Sequence, residues 1–270
     1  MQEINNNDQQ LQAQNSSACI IQVPMFVAKT TSEILAVFQA TSTLVEEATI
    51  VIDSEGMHIR TMDPSHVALI DVSIPYNAFY DYTQVDRELK FGINLDELCK
   101  ILRTFEQKQE IKFVFEQGML HLKQEGQKAS IRLLEAMGGT TPLPKLNFNA
   151  KMNLNAEGIK KILKFLALKD YVRIDTNENV VTLSSKDDSG EVENKFETYN
   201  YLDQLQIKEN SMSTYSNEYL KKFITAIKPV MSHKYDTLAI EYSTKMPMKI
   251  EVRYNNVGTI HFYLAPRVQD

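Results

Sequence analysis

GMHIRTMDPSHVALIDVSIP, Gly56 to Pro75, is the stretch whose reading decides the fold. Met57, Ile59 and Thr61 alternate with His58 and Arg60, the period of two that marks a strand with unlike faces. Asp63-Pro64-Ser65 supplies a tight turn, because proline fixes φ while Asp and Ser side chains bond nearby amides. Val67 to Ile74 then alternates for most of its length. The stretch therefore predicts strand, short loop, strand, with Met62, Val67 and Leu69 near the connection. Apolar side chains there fit two readings, ordinary core or the lining of a surface groove for a partner peptide.

Outward from this hairpin, Met25 to Ala28 reads as a short strand. Thr31-Ser32 offers an N-cap, and Glu33 begins a helix with Ile34, Leu35, Phe38 and Val45 on one side. Ala48 to Ile52 is a strand, and Asp53-Ser54-Glu55-Gly56 turns into the hairpin. Lys90 to Ile93 is a strand, Asn94 caps a helix over Leu95 to Phe105, and Ile111 to Phe115, Met119 to Lys123 and Ala129 to Leu134 form a meander. The order then recurs. Phe148 to Leu154 is a strand, Asn155 caps a helix from Ala156 to about Leu168, and Tyr171 to Asp175, Val180 to Ser184 and Glu191 to Phe196 are strands. Tyr215-Ser216-Asn217 caps a helix from Glu218 to about Lys228, after at least one further strand. Leu238 to Tyr242, Met248 to Tyr254 and Thr259 to Leu264 close the chain.

Each half thus reads strand, helix, three strands, helix, three strands, a repeat of pattern rather than of letters. The predicted division is a disordered tail over 1–22, a first domain over 23–135, a connector over 136–146 and a second domain over 147–270. Nothing alternates strand with helix as a parallel sheet requires, so the fold class is α+β: two similar domains of antiparallel sheets with two helices each.

With 270 residues and 43% hydrophobic content, the chain can bury one large core or two ordinary ones. No apolar run approaches the roughly 20 residues that cross a bilayer. The opening MQEINNNDQQLQAQNSS has neither the basic nor the apolar region of a secretory signal, and its Asn and Gln bias reads as disorder. Cys19 and Cys99 offer no disulfide framework, which suits a reducing, cytoplasmic setting. Net charge is −6 and the pI about 5.5, which taken globally argues against a nucleic-acid partner unless charge is segregated.

Segregation is what the helices predict. On a wheel of 3.6 residues per turn, Ile159, Ile162, Leu163 and Leu166 oppose Lys160, Lys161 and Lys164, with no acid expected on the basic arc. Tyr219, Leu220, Phe223, Ile224 and Ile227 oppose Lys221, Lys222 and Lys228. Leu95, Leu98 and Leu102 oppose Lys100 and Arg103. Any one such face can be simply solvated; three of four helices in an acidic chain favour a surface that tracks phosphates without reading bases. The first helix presents Glu33, Ala36, Gln39, Ala40 and Thr43 outward and no basic residue.

Catalytic and metal patterns do not appear. His58, His66, His121, His233 and His261 lack metal-ligand spacing, and Gly138-Gly139 lacks the Gly-Lys-Ser/Thr of a phosphate loop. Glu46-Glu47 and Asp187-Asp188 fall at turns, where solvated loops are the expectation. The chain reads as non-catalytic, with no cofactor and no metal.

Four ordered blocks now carry a resemblance: SEGMHIRTMDPSHVALIDV, RELKFGINLDELCKIL, DSGEV and IHFYLAPRV. Together they resemble the archaeal type of the proliferating cell nuclear antigen family, the DNA sliding clamps. The resemblance implies three subunits closing a ring around duplex DNA, with helices lining the hole, in a prokaryotic-type cell. It implies DNA polymerase, clamp loader, flap endonuclease and DNA ligase as partners. It places a partner-peptide groove at Met62, His66, Val67, Leu69, Leu143, Pro144, Pro247, Tyr263, Ala265 and Pro266. On the residue alone, His66 reads as a hydrogen-bonded structural histidine more often than as a contact. It also places subunit edges at Lys128 to Leu133, including Ile131 and Arg132, and at Glu191 to Phe196, including Glu193. Those charges suit head-to-tail closure. Two other readings stand beside it: a clamp-like checkpoint subunit, and a duplicated α+β enzyme whose basic helices hold an anionic substrate.

Overall fold

Alternation and capping build eighteen strands and four α-helices among the described residues of the computed structural model, which are 23–137, 141–177, 179–198, 200–231, 237–254 and 257–267. The expected tail over 1–22, part of the connector, Cys19, His233 and Val268 lie outside them. The first half runs β1 (Met25–Ala28), α1 (Thr31–Ser42), β2 (Glu47–Ile52), β3 (Gly56–Met62), β4 (Ala68–Pro75), a 3-10 turn, β5 (Asp81–Tyr82), β6 (Leu89–Asn94), α2 (Leu95–Leu102), β7 (Ile111–Glu116), β8 (Met119–Gln124) and β9 (Gln127–Arg132). The second runs β10 (Ala150–Leu154), α3 (Ala156–Leu166), β11 (Tyr171–Asn177), β12 (Val180–Asp187), β13 (Gly190–Glu197), β14 (Leu202–Ile207), β15 (Ser211–Ser216), α4 (Asn217–Ile227), a 3-10 turn, β16 (Leu238–Tyr242), β17 (Met248–Tyr254) and β18 (Gly258–Leu264).

Five strands separate the helices of each half, where three and at least one lead-in strand were expected. Asp81–Tyr82 is too short to show a period, and LDQLQI at Leu202–Ile207 carries too much polarity to read as a strand. α1 ends at Ser42, so Val45 lies beyond it, and α2 ends at Leu102, short of Phe105. The cap of α1 is Thr30, one residue before the expected pair, while Thr31 is buried with its hydroxyl donating to the Gln109 carbonyl. Asn94 and Asn155 do cap, accepting from the amides of Glu97 and Gly158. Asn217 does not cap α4; it is buried, and its amide donates to the Lys169 and Tyr171 carbonyls.

The strands form three antiparallel sheets, and the largest belongs to both halves. Its order is β14-β10-β16-β17-β18-β4-β3-β2-β6, with β4 and β18 paired from Ser73 opposite Thr259 to Ala68 opposite Leu264. The segment after β9 closes its β6 end: the Leu134 amide donates to the Gly92 carbonyl at 2.8 Å. A side chain at Gly92 would sit 2.4 Å from the Glu135 carbonyl, so this approach needs glycine. The smaller sheets run β5-β1-β7-β8-β9 and β13-β12-β11-β15.

The helices lie side by side in the order α3, α4, α1, α2. Their apolar sides share one core with alternate residues of the large sheet, and Phe223 of α4 stacks on Phe262 of β18 at 4.4 Å. α1, inside the row, is buried nearly all round. Ala36 and Ala40, expected outward, are fully buried, because neighbouring helices cover both flanks.

Candidate nucleic-acid interface and partner groove

The helix row presents its polar arcs on the face away from the large sheet. Lys100, Lys164, Lys221 and Lys228 are exposed and make no ion pair among the described residues. Lys160 and Lys222 are exposed but paired along their helices, to Glu157 at 2.7 Å and Glu218 at 2.6 Å. Glu157 thus shares the basic arc of α3 that was expected to be free of acids. Position 157 lies one turn before 160 and two before 164, and the lysines hold its carboxyl below the usual range. Exposed pairs of this kind contribute little to stability, so both ammonium groups stay free to exchange partners.

Lys161 departs further from expectation. It is half-buried, and its Nζ donates to the Lys195 carbonyl at 2.7 Å. The same nitrogen lies 3.8 Å from the centroid of the Tyr201 ring and 4.9 Å from that of Phe196. The wheel groups it with Lys160 and Lys164, but β13 draws it to the flank of the helix. Between α4 and the ends of α1, α2 and α3 lies a cleft of about 870 Å³, lined by Arg103, Lys169, Lys221, Lys222 and Arg267, with Asp170 and Glu218 beside them. With the Gln39 amide oxygen turned towards Arg103, the guanidinium donates to it at 2.8 and 3.2 Å. α1 therefore supplies an acceptor to this surface rather than a charge.

The groove is organised by Asp63. Its carboxylate accepts from the amides of Ser65, Val67 and Ala68 at 3.1, 2.7 and 2.6 Å, and from the Tyr219 hydroxyl of α4 at 3.0 Å. Burial works to raise this carboxyl, but those donors more than offset it and hold it below its ordinary value. The turn puts His66 at φ 58°, and the Ala265 amide donates to the Val67 carbonyl at 2.8 Å. Met62, Leu69 and Tyr263 are direct cross-strand neighbours in one row over β3, β4 and β18. Pro247 precedes β17, whose Met248 pairs with Leu264, and Pro266 follows Ala265. Leu69 is only 3% exposed, so it floors the groove and does not stand out into it.

Under the connector, a cavity of about 1040 Å³ adjoins this row and is lined by His58, Arg60, Met62, His66, Met137 and Pro142 among others. Leu143 and Pro144 are exposed on the connector and do not line it. A ladder of charge crosses the sheet nearby. Arg60 donates to Asp71 at 2.7 Å, His261 stands 3.8 Å from Asp71 and 3.1 Å from Glu251, Lys249 pairs with Glu241 at 2.5 Å, and Lys151 reaches Glu241 at 3.2 Å.

The two edges sit at the outer limits of the small sheets, β9 of one and β13 of the other. Lys128, Arg132, Glu191 and Glu193 are exposed and Leu133 is half-buried. Ile131 and Phe196 are 1% exposed. Their side chains point into their own core and offer a neighbour only backbone, because strand alternation sends them inward.

Two family models fit this architecture in order. That for the proliferating cell nuclear antigen N-terminal domain matches residues 25–128, and that for its C-terminal domain matches residues 142–267. The chain belongs to the proliferating cell nuclear antigen family. A DNA polymerase sliding clamp of Nitrosopumilus maritimus is 39% identical over 250 residues, 90% of this chain and 99% of that one. One of Cenarchaeum symbiosum is 38% identical over 90% and 98%. Among solved structures, the proliferating cell nuclear antigen of Thermococcus kodakaraensis superposes with a TM-score of 0.82 at 20% identity, covering 90% of this chain and all of that one. That of A. fulgidus, bound to the C-terminal region of FEN-1, superposes at 0.81 with 23% identity over 92% and 99%.

As a member of this family, the chain carries features that motif reading passes over. Lys169 and Arg267 join the helix-side cleft from a loop and from the C-terminal segment, where no wheel applies. His58 and Arg60 line the connector cavity, and their signal was present, since they alternate in phase with Met62. Among the described residues no cluster of three or more His, Cys, Asp or Glu is arranged to hold a metal, and no helix is long and apolar enough to cross a membrane.

Proposed function

We propose that this chain is the subunit of a DNA sliding clamp, in which three copies close a ring around duplex DNA and tether replication and repair proteins to it. The observation that carries the reading is the helix row: lysines of α2, α3 and α4, with Arg103 at the end of α2, emerge on one face, where Glu157 and Glu218 are already paired to Lys160 and Lys222. Sequence-blind contact needs only cations at phosphate spacing, and encirclement removes the need for tight binding. The residues proposed to face DNA are Lys100, Arg103, Lys160, Lys164, Lys221, Lys222 and Lys228. The proposed division is 23–135 and 147–270 joined by the connector 136–146.

At the groove, the row of Met62, Leu69 and Tyr263, flanked by Val67, Pro247, Ala265 and Pro266, suits an apolar and aromatic anchor from a short partner peptide. The proposed partners are a flap endonuclease C-terminus, a replicative polymerase, the clamp loader and a ligase. The chain acts by tethering and performs no catalysis of its own. Ring closure is proposed through the β9 edge of one copy and the β13 edge of the next.

Retention on DNA tests this. Loaded protein is expected to stay on closed circular duplex and to run off linear duplex with free ends. Equal loss from both forms would overturn the encircling reading. Light scattering is expected to give about three times the 30.9 kDa chain mass.

A further inference from the structure

β13 leaves its hairpin through Asp187 and Gly190, which flank a two-residue loop. In such a hairpin the flanking pair exchanges both backbone hydrogen bonds, and successive pairs then alternate between bonded and non-bonded. Counting from Gly190, the N–H and C=O groups of Glu191, Glu193, Lys195 and Glu197 point away from β12, to the side where the sheet has no further strand among the described residues. The Glu197 carbonyl is already engaged, accepting from the amides of Asn200 and Tyr201 at 3.4 Å each. The Lys195 carbonyl is engaged by Lys161, whose ammonium is also held against two aromatic rings. A strand joining β13 would run about 4.8 Å away, and at Lys195 that path is occupied by the lysine of α3.

We infer that Lys161 ends the pairing edge of β13 at Lys195, confining a second copy's β9 to the segment from Glu191 to Asn194. The inference rests on the ring reading above. It makes Lys161 a positioning residue: by deciding where the neighbour's strand stops, it fixes the register in which Lys128 and Arg132 meet Glu191 and Glu193. It also removes Lys161 from the cations that face DNA.

Residue-resolved hydrogen–deuterium exchange on the full chain tests this, run above and below the concentration at which light scattering detects assembly. In the wild type, assembly slows the amides of Glu191 and Glu193 by about tenfold or more and leaves that of Glu197 unchanged. Lys161→Met keeps the aliphatic stem and loses the charge; its protected segment extends to Lys195, and Lys161→Arg returns the wild-type boundary. A lysine that only steadies α3 would raise exchange in the helix and leave the boundary in place. Protection of Glu197 in the wild type, or an unmoved boundary in Lys161→Met, overturns the inference while the ring stands. A chain that scatters as a monomer at every concentration overturns the ring reading and this inference with it.

Discussion

Asp63 accepts from three backbone amides and from the Tyr219 hydroxyl, so its replacement leaves the buried Ala68 amide and the half-buried Val67 amide and Tyr219 hydroxyl without this partner. Asp63→Ala is expected to cost about 2–4 kcal/mol, since these are hydrogen bonds to a charged group and the Ala68 amide that loses its partner is buried. Chemical denaturation measures the loss, and a change below about 0.5 kcal/mol would contradict the role given to this carboxylate. Because its folded-state pKa is lowered, its contribution is present above the ordinary value of 3.8 and is lost as pH falls through the folded value. The Asp-Pro-Ser turn is legible in the sequence because its bonds are local. The Tyr219 partner is not, because 156 residues separate the pair and only tertiary closure joins them. For the same reason the wheel cannot distinguish Lys161 from Lys164: both lie on one arc, and the position of β13 is not in the letters.

Elements are where propensity and packing compete. Gly158 lies in the first turn of α3, and alanine there would gain about 1 kcal/mol of helix propensity. A side chain at 158, however, meets the Tyr201 carbonyl at 2.2 Å, backbone that cannot rotate away. Overpacking of this kind costs about 1–3 kcal/mol, so Gly158→Ala is expected to lower the melting temperature, and a rise would show that the α3 contact is looser than described. The charge ladder gives a second element-scale expectation. Asp71 and then Glu251 hold His261 above its ordinary 6.5, while His261 and the neighbouring cations hold Glu251 down at about 2 despite its partial burial. The histidine's contribution is therefore complete below pH 6.5 and is lost as pH rises through the raised folded value. His261→Gln is expected to remove the part of the stability profile that falls away as pH rises above 6.5, as read by thermal denaturation. Strand alternation made most of these strands legible; the five-strand interval between helices was not, because β5 and β14 are too short or too polar to carry a period.

At the scale of the whole molecule, charge placement decides what is tested. Lys164→Gln and Lys221→Gln are each expected to reduce the slope of DNA affinity against salt by about 0.9; unchanged slopes would remove these lysines from the interface. Arg132→Glu is expected to lower the trimer fraction in light scattering, and Glu193→Lys in the same chain to restore it, since the opposed edges then exchange sign. Failure of the second change to restore assembly would mean that these residues do not face one another. The ladder from Ser73 opposite Thr259 to Ala68 opposite Leu264 fastens both halves into one continuous sheet, and Tyr219 bolts α4 to the opposite half at Asp63. The chain is thus a stiff stave with no hinge at its middle. In the proposed ring, admitting a duplex would mean parting two staves along a seam, and a loader would need to prise open only one.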